Sequence, residues 1–259
     1  MANEEKSAKE LFFSIIVPAH NEEKYIVATM QRLAALTYPK DSYEVIVVEN
    51  GSVDTTFVTA KTFADENTVA KGNAHVFSIP ESGVSKARNF GSAHAKKDGD
   101  WVFFLDADTF PDPEFLNDVA DFLKKNPQAN YAVGTAELQP YPKSLIMNVI
   151  YWFTNFFFKM KGAAFGGALF VRRSLLETFS FDEDLEMGED DNFAQKLRAS
   201  GAFFFFSTKH VHTSTRRYQN GGWLKIPVWI GLWIFAMIVP HHGKSTPAYQ
   251  RRLKYKVVR

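Results

Sequence analysis

Short apolar runs recur along the chain at roughly thirty-residue spacing, the length of a strand–helix–strand unit. They are Phe13–Val17, Tyr43–Val48, Ala74–Ile79 and Trp101–Leu105, and each reads as a buried strand. The residues between them predict helices over about 22–36, 54–65 and 84–97. The first has Asn21 as its N-cap with Glu22 and Glu23 in the opening turn, and it ends before Pro39; Asp54 reads as the cap of the second. Strand alternating with helix argues for a mostly parallel sheet covered on both faces.

After Trp101–Leu105 the rhythm changes. A helix near 114–125 follows Pro111 and Pro113, and a strand is expected near 130–138. Residues 144–161 read as a helix that is apolar nearly all round, and Phe165–Val171 as a glycine-containing strand. Glu189–Ser200 is a predicted helix closed by Gly201 at the C′ position, with Phe203–Phe206 and Lys209–Thr213 as two short strands. The last apolar segment, Trp223–Val239, holds Trp229 and Trp233 one turn apart. Its uninterrupted run from Ile226 is 14 residues, short for a span that needs about 20. Tryptophan with cationic flanks favours a helix lying in a membrane interface.

Composition narrows the class. At 259 residues and 46% hydrophobic, the chain is one α/β domain with a C-terminal appendage. With no cysteine there is no disulfide framework, thiolate metal site or cysteine nucleophile. The net charge of +1 hides an asymmetry, because residues 241–259 carry six Lys/Arg and no acid. That basic tail points to an anionic surface, here read as membrane and not nucleic acid. The acidic start, Met1-Ala-Asn-Glu-Glu-Lys, is no secretory signal.

The candidate chemistry gathers at strand ends. Trp101–Leu105 runs directly into Asp106-Ala107-Asp108, two carboxylates at the carboxyl edge of a sheet, where open α/β folds bind ligands. Oxygen ligands there suit a hard divalent cation, and the cation suits a diphosphate. The loops Val17–Glu22 and Val48–Asp54 leave the first two strands on the same edge. In the second loop Glu49 and Asn50 offer acceptors and a donor to a base or ribose, and Gly51 permits a tight turn. Lys86 and Arg88 open a helix, against its dipole, and an anionic ligand relieves that penalty. Asp190 shares a helix face with Phe193, Ala194 and Leu197 and therefore points inward. Burial and its neighbours Glu189 and Asp191 raise its pKa toward that of a general base. His210 and His212 share a strand face, and His212 is a candidate metal ligand.

The order of these motifs resembles the family 2 glycosyltransferases of the GT-A fold. Those motifs are Ser14-Ile-Ile-Val-Pro-Ala-His-Asn-Glu, Val-Val-Glu49-Asn-Gly-Ser-Val-Asp, Ser85-Lys-Ala-Arg88-Asn-Phe-Gly, Phe-Leu-Asp106-Ala-Asp108 and Gly188-Glu189-Asp190. The likeness runs from about residue 13 to 217. It implies a nucleotide-sugar half over about 10–110 and an acceptor half over about 111–220, with 221–259 as the interface helix and tail. It further implies a nucleotide-sugar donor, Mg or Mn, and displacement at the anomeric carbon with inversion. By this resemblance Pro18, Ala19, Glu22, Glu49 and Arg88 line the nucleotide; His20, Asn50, Gly51, Lys86, Asp106 and Ala107, in the same loops and helix start, are counted with them as donor-site candidates. By the same resemblance Asp106 lies near the ribose and the metal, with Asp108 as the main metal ligand; His212, from its strand position, is the further candidate ligand. Asp190 is the base, with Glu189 beside it. Gly166, Gly167, Arg216 and Arg217 face the diphosphate or acceptor.

Two departures from the family pattern matter. The loop usually written with two Asp before Gly-Ser reads Glu49-Asn50 here, and the Gln-x-x-Arg-Trp motif of processive synthases is absent. The expectation is therefore a non-processive transferase, peripheral on the cytoplasmic face of a membrane, acting on a lipid-linked or saccharide acceptor. The competing readings are a nucleotide-sugar or membrane-surface binding protein without turnover, and a nucleotidyltransferase. A nucleotidyltransferase usually has a Gly/Lys/Arg-rich phosphate loop after strand one, which Pro18–Glu22 is not.

Overall fold

The computed structural model describes residues 10–67, 73–185 and 188–216. All four apolar runs are strands: β1 (Phe13–Ala19), β2 (Tyr43–Asn50), β3 (Ala74–Ile79) and β4 (Trp101–Leu105). The short pair β5 (Thr109–Pro111) and β7 (Gln139–Tyr141) accompanies β6 (Tyr131–Ala136), β8 (Ala168–Arg172), β9 (Ala202–Phe206) and β10 (Val211–Ser214). One seven-stranded sheet runs β3-β2-β1-β4-β8-β6-β9. It is parallel from β3 to β4, antiparallel on both sides of β8, and parallel again between β6 and β9. A second, three-stranded sheet, β5-β10-β7, stands apart from it.

The β1 run is buried along its whole length because successive side chains serve opposite layers. Phe13, Ile15 and Val17 pack with Ile26, Met30 and Leu33 of α1 (Ile26–Ala34) and Ala60 and Ala64 of α2 (Thr56–Glu66). The same layer takes Phe115 and Val119 of α4 (Phe115–Lys125) and Phe158 of α5 (Leu145–Lys161). Ile16 turns to the other layer, with Ala87 of α3 (Val84–His94) and Phe193, Ala194 and Leu197 of α6 (Glu189–Leu197). Gly91 lets α3 come close: a Cβ there would lie 2.5 Å from Ile16 Cγ2.

Some local expectations are corrected. The first helix starts at Ile26 with Tyr25 as its cap, not at Asn21. Asn21 has φ 55° and uses its side-chain oxygen to accept from the Val53 amide at 2.9 Å, so it ties loop to loop instead of starting a helix. Asp54 does accept from the Thr56 amide (3.0 Å) at the head of α2, although Thr55 is the capping position. The strand expected from Phe165 begins only at Ala168, which leaves Gly166 and Gly167 in the preceding turn. Gly201 does not adopt the left-handed C′ conformation: its φ is 163°, and a 3-10 turn over Arg198–Ser200 intervenes. The helix and tail expected over 221–259 lie outside the described residues, as does Arg217. No helix among the described residues is long and apolar enough to cross a membrane.

Candidate active site

The turn after β4 is pinned by three separate elements. The Asp106 carbonyl accepts from the Thr109 amide (3.0 Å), that of Ala107 from Thr29 Oγ1 on α1 (2.5 Å), and that of Asp108 from the Ser214 amide on β10 (3.0 Å). Backbone fixed this firmly aims both carboxylates without needing their own side chains to be locked. The small sheet, of which the sequence pattern marks only the β10 strand, therefore serves to seat β10 and the residues after it against Asp108.

Arg88 lies at the centre. It is 2% exposed, its Nη1 donates to Glu189 Oε1 at 2.9 Å, and its Nη2 lies 3.4 Å from Asp106 Oδ1. Asp106, Glu189 and Asp190 all raise its pKa against the opposing pull of burial. Its Nε is buried with no hydrogen-bond partner. Asp190 faces the same crevice and accepts from the Gly166 amide at 2.6 Å. Burial, then the Glu189 charge, push the Asp190 carboxyl up to about 7, with Arg88 pulling the other way. The two glycines fit between these groups. A Cβ on Gly166 would lie 2.7 Å from Arg88 Nη2 and 2.8 Å from Asp190 Oδ2, and one on Gly167 would lie 2.9 Å from Asp106 Oδ2.

A second arginine closes the other end. Arg216 donates to both carboxylate oxygens of Glu22, through Nη1 at 2.7 Å and through Nη2, and its Nε is 3.1 Å from Asp108 Oδ2. It also stacks over Tyr25, 4.6 Å from the ring centre. The Glu22–Arg216 pair joins residues 194 apart, and no local spacing announces it. The sequence marks each as a candidate but not as partners, and it misses the Glu189–Arg88 pair in the same way.

The remaining candidates have definite positions. Pro18 and Ala19 end β1, in register with Val48 and Glu49 of β2. His20 Nδ1 donates to the Asn50 carbonyl at 2.6 Å and so ties the first loop to the second. Glu49 is 5% exposed; its carboxylate accepts from the Ser52 amide and from Ser78 Oγ (2.5 Å), so it braces the loop from inside. The Asn50 side-chain nitrogen Nδ2 is buried with no hydrogen-bond partner. At Gly51 φ is 68°, and a Cβ would meet the Pro80 carbonyl at 2.9 Å. The stem of Lys86 folds back over Gly83. His212 Nε2 is 3.1 Å from Asp112 Oδ2, while its Nδ1 is buried with no hydrogen-bond partner. His210 pairs with Asp118 at 2.8 Å.

No group of three or more His, Asp or Glu side chains among the described residues is arranged to hold a metal ion, so Asp106, Asp108 and His212 do not form a closed cage. Asp106 and Asp108 nonetheless fit a divalent cation. Mg is commonly held by one or two carboxylates with substrate phosphates completing its shell. The crevice supplies five carboxyl groups (Glu22, Asp106, Asp108, Glu189, Asp190) against Arg88 and Arg216, so added positive charge is favoured there.

The Glycosyl transferase family 2 profile matches residues 14–177. The chain belongs to that family. This family 2 chain is 29% identical over 187 residues to the probable glycosyltransferase YdaM of Bacillus subtilis, covering 68% of this chain and 44% of that protein. It is 25% identical over 219 residues to a Methanococcus voltae protein, with 78% and 66% covered. That relative is named dolichyl N-acetyl-alpha-D-glucosaminyl phosphate 3-beta-D-2,3-diacetamido-2,3-dideoxy-beta-D-glucuronosyltransferase. Among solved structures it resembles Staphylococcus aureus TarS in complex with UDP-GlcNAc (TM-score 0.62, 24% identity, 79% of this chain and 59% of that one). It also resembles the mannosyltransferase PcManGT of Pyrobaculum calidifontis in complex with GDP-Man and Mn2+ (TM-score 0.62, 21% identity, 80% and 57%). The chain spans under half the length of YdaM. The mixed, mostly parallel sheet is consistent with a GT-A domain, and residues 14–177 are a Glycosyl transferase family 2 domain.

Proposed function

We propose that this family 2 glycosyltransferase is an inverting, cation-dependent enzyme that uses Asp190 as its general base at a membrane surface. The observation that carries the reading is the Asp190 carboxylate, pushed up to about 7, held by the Gly166 amide and gathered with Asp106 near Arg88 Nη2. A base tuned to neutral pH is what removing a hydroxyl proton requires. In the reaction the acceptor oxygen bonds to the anomeric carbon from the face opposite the diphosphate, and the carbon–oxygen bond to the diphosphate breaks. The hydroxyl proton passes to Asp190, and the bonding electrons leave with the nucleoside diphosphate.

Arg88, fixed by Glu189, faces the charge that develops on the departing phosphate. Asp106 and Asp108 would hold a divalent cation, which would supply further neutralisation of the diphosphate. The β1 and β2 loops, joined through His20 and Asn50, receive the nucleoside. The Methanococcus voltae relative, named for a dolichyl-linked acceptor, and the apolar Trp-rich segment over 223–239 support a lipid-linked acceptor. The Trp-rich segment also supports a peripheral position on a membrane; the cytoplasmic face is part of the proposal.

The test is to incubate the protein with a panel of nucleotide sugars and Mn and follow free nucleoside diphosphate, then to read the anomeric configuration of product by NMR. Turnover that vanishes with EDTA and in Asp108→Ala, with inverted product, is expected. Retained configuration, or full activity of Asp108→Ala, refutes the mechanism.

A further inference from the structure

The outer face of α5 has a property that the crevice does not explain. Leu145, Ile146, Val149, Trp152, Phe153, Phe156, Phe157 and Met160 all lie exposed along one stripe, at the spacing that keeps residues on a single helix face. The opposite face is satisfied: Met147, Ile150, Asn155 and Phe158 are buried, and Asn155 both accepts from and donates to the Leu138 backbone. Packing on the domain therefore uses the other side of the helix and leaves the stripe in water. Trp152, Phe153 and Phe156 are 62%, 51% and 48% exposed. At 150–250 Å² per aromatic side chain these three rings alone leave roughly 300 Å² in solvent. With the aliphatic residues added, the stripe exceeds what a soluble monomer normally leaves bare, and it runs for roughly 22 Å at 1.5 Å per residue.

Charge identifies what covers it. Exposed Lys143, Lys159 and Lys161 stand at the two ends of the stripe, and no acid occurs between residues 143 and 161. The chain beyond Arg216 is equally one-sided, with Arg217, Lys225, Lys244, Arg251, Arg252, Lys254, Lys256 and Arg259 and no acid. Covering α5 with that segment, or with α5 of a second copy, brings like charge against like. An anionic lipid surface neutralises the lysines and accepts the rings at its headgroup boundary.

The segments leading into and out of the helix connect to the site residues. Beyond its N-terminal end, the Tyr141 carbonyl accepts from the Thr215 amide at 2.8 Å, one residue before Arg216, which holds Asp108. Beyond its C-terminal end the chain runs four residues from Gly162 to Gly166, whose amide holds Asp190.

From this juxtaposition we propose that the exposed stripe of α5 docks on an anionic lipid bilayer and sets the acceptor side of the crevice against it. The proposal deepens the reading of a membrane-surface transferase and rests on it for the purpose of the docking.

The chain has no cysteine, so Phe153→Cys in the full-length protein takes an environment-sensitive fluorophore at one position. Val58→Cys, exposed on α2, is the control. Vesicles of phosphatidylcholine with one quarter phosphatidylglycerol are compared with phosphatidylcholine alone. The label at 153 is expected to shift blue with anionic vesicles only, and the label at 58 not to shift. Trp152→Glu with Phe156→Glu is expected to lower vesicle partitioning at least tenfold, while lipid-free release of nucleoside diphosphate stays at the wild-type rate.

Three results overturn the proposal. The label at 153 is already blue without lipid and unmoved by it, which assigns the stripe to the chain's own segment or a second copy. The label shows no shift with any vesicle. The double variant binds vesicles as the wild type does. Loss of nucleotide release with docking intact counts against the transferase mechanism alone.

Discussion

Replacing Asp190 with asparagine separates what this carboxylate does for the reaction from what it costs the fold. In the folded protein its pKa is pushed from 3.8 to about 7, first by burial and then by the Glu189 charge. Between those two values the folded state keeps a proton that the unfolded chain has lost. Stability therefore falls as pH rises from about 4 to 7, and it stays lower above 7. At 1.36 kcal/mol per unit, a shift of about three units sets a ceiling of roughly 4 kcal/mol on that loss. Asparagine removes the charge but has one acceptor oxygen, whereas the Gly166 amide (2.6 Å) and the Asp191 amide (2.8 Å) both donate to the carboxylate. One of these donors is left facing an NH2 group, at a cost of about 1–2 kcal/mol.

Asp190→Asn is thus expected to be more stable than wild type by about 2 kcal/mol at pH 8. In a chain of this size that is about 4–8 °C in Tm. At pH 5, where the wild-type carboxyl is protonated, the gain disappears. Turnover falls by about 10²–10⁴-fold, the usual contribution of a general base, and the wild-type rate declines about tenfold per unit below pH 7. Thermal unfolding at the two pH values and a pH–rate profile test this together. A flat rate between pH 6 and 8, or an equal Tm change at pH 5 and 8, refutes the assignment.

Gly166→Ala puts a methyl group within 2.7–2.8 Å of Arg88 Nη2 and Asp190 Oδ2. Turnover is expected to fall by about 10²-fold through displacement of those two groups, with Mn affinity, measured by titration, unchanged; a lost Mn response instead counts against this placement. Arg216→Ala leaves Glu22, whose side chain is 11% exposed, without its two-pronged partner. Urea unfolding is expected to show a loss of about 1–3 kcal/mol, discounted from a fully buried pair because Arg216 is itself 28% exposed. Arg216→Lys restores little of it, since one ammonium cannot reproduce the fork. Wild-type stability in the alanine variant contradicts the pairing.

The first four strands were legible in the sequence because their rules are local. A parallel strand buried on both faces writes itself as an unbroken apolar run, and β1, β2, β3 and β4 all begin at the expected residue. Asp190 could be aimed inward from the spacing of Phe193, Ala194 and Leu197, all three fully buried or nearly so. The misses also have physical causes. Asn21 carries the composition of a helix cap, but its φ of 55° and its bond to Val53 serve a contact 32 residues away, and helix propensity does not encode such a contact. β5 and β7 are three residues each, too short for any period to register, yet they seat β10 beside the Asp106–Asp108 turn.

The arginine pairings go further, because they change what the acids mean. Read singly, Asp106 and Asp108 are ordinary metal-ligand candidates, and Glu22 and Glu189 are ordinary first-turn acids. In the fold each belongs to one of two arginine clusters, Arg88 with Asp106 and Glu189, and Arg216 with Glu22 and Asp108. Each arginine thus spends part of its charge on an acid that is nearly enclosed and the rest on a member of the Asp-Ala-Asp turn. A ligand that brings both a dication and a diphosphate matches this division. Asp106 and Asp108 would hold the cation, and the guanidinium charge they now neutralise would be left to face the phosphates, while the Glu22 and Glu189 pairs keep the arginines in place. The enclosed glutamates then act as positioning residues, and their loss is felt through Arg88 and Arg216 rather than through the cation.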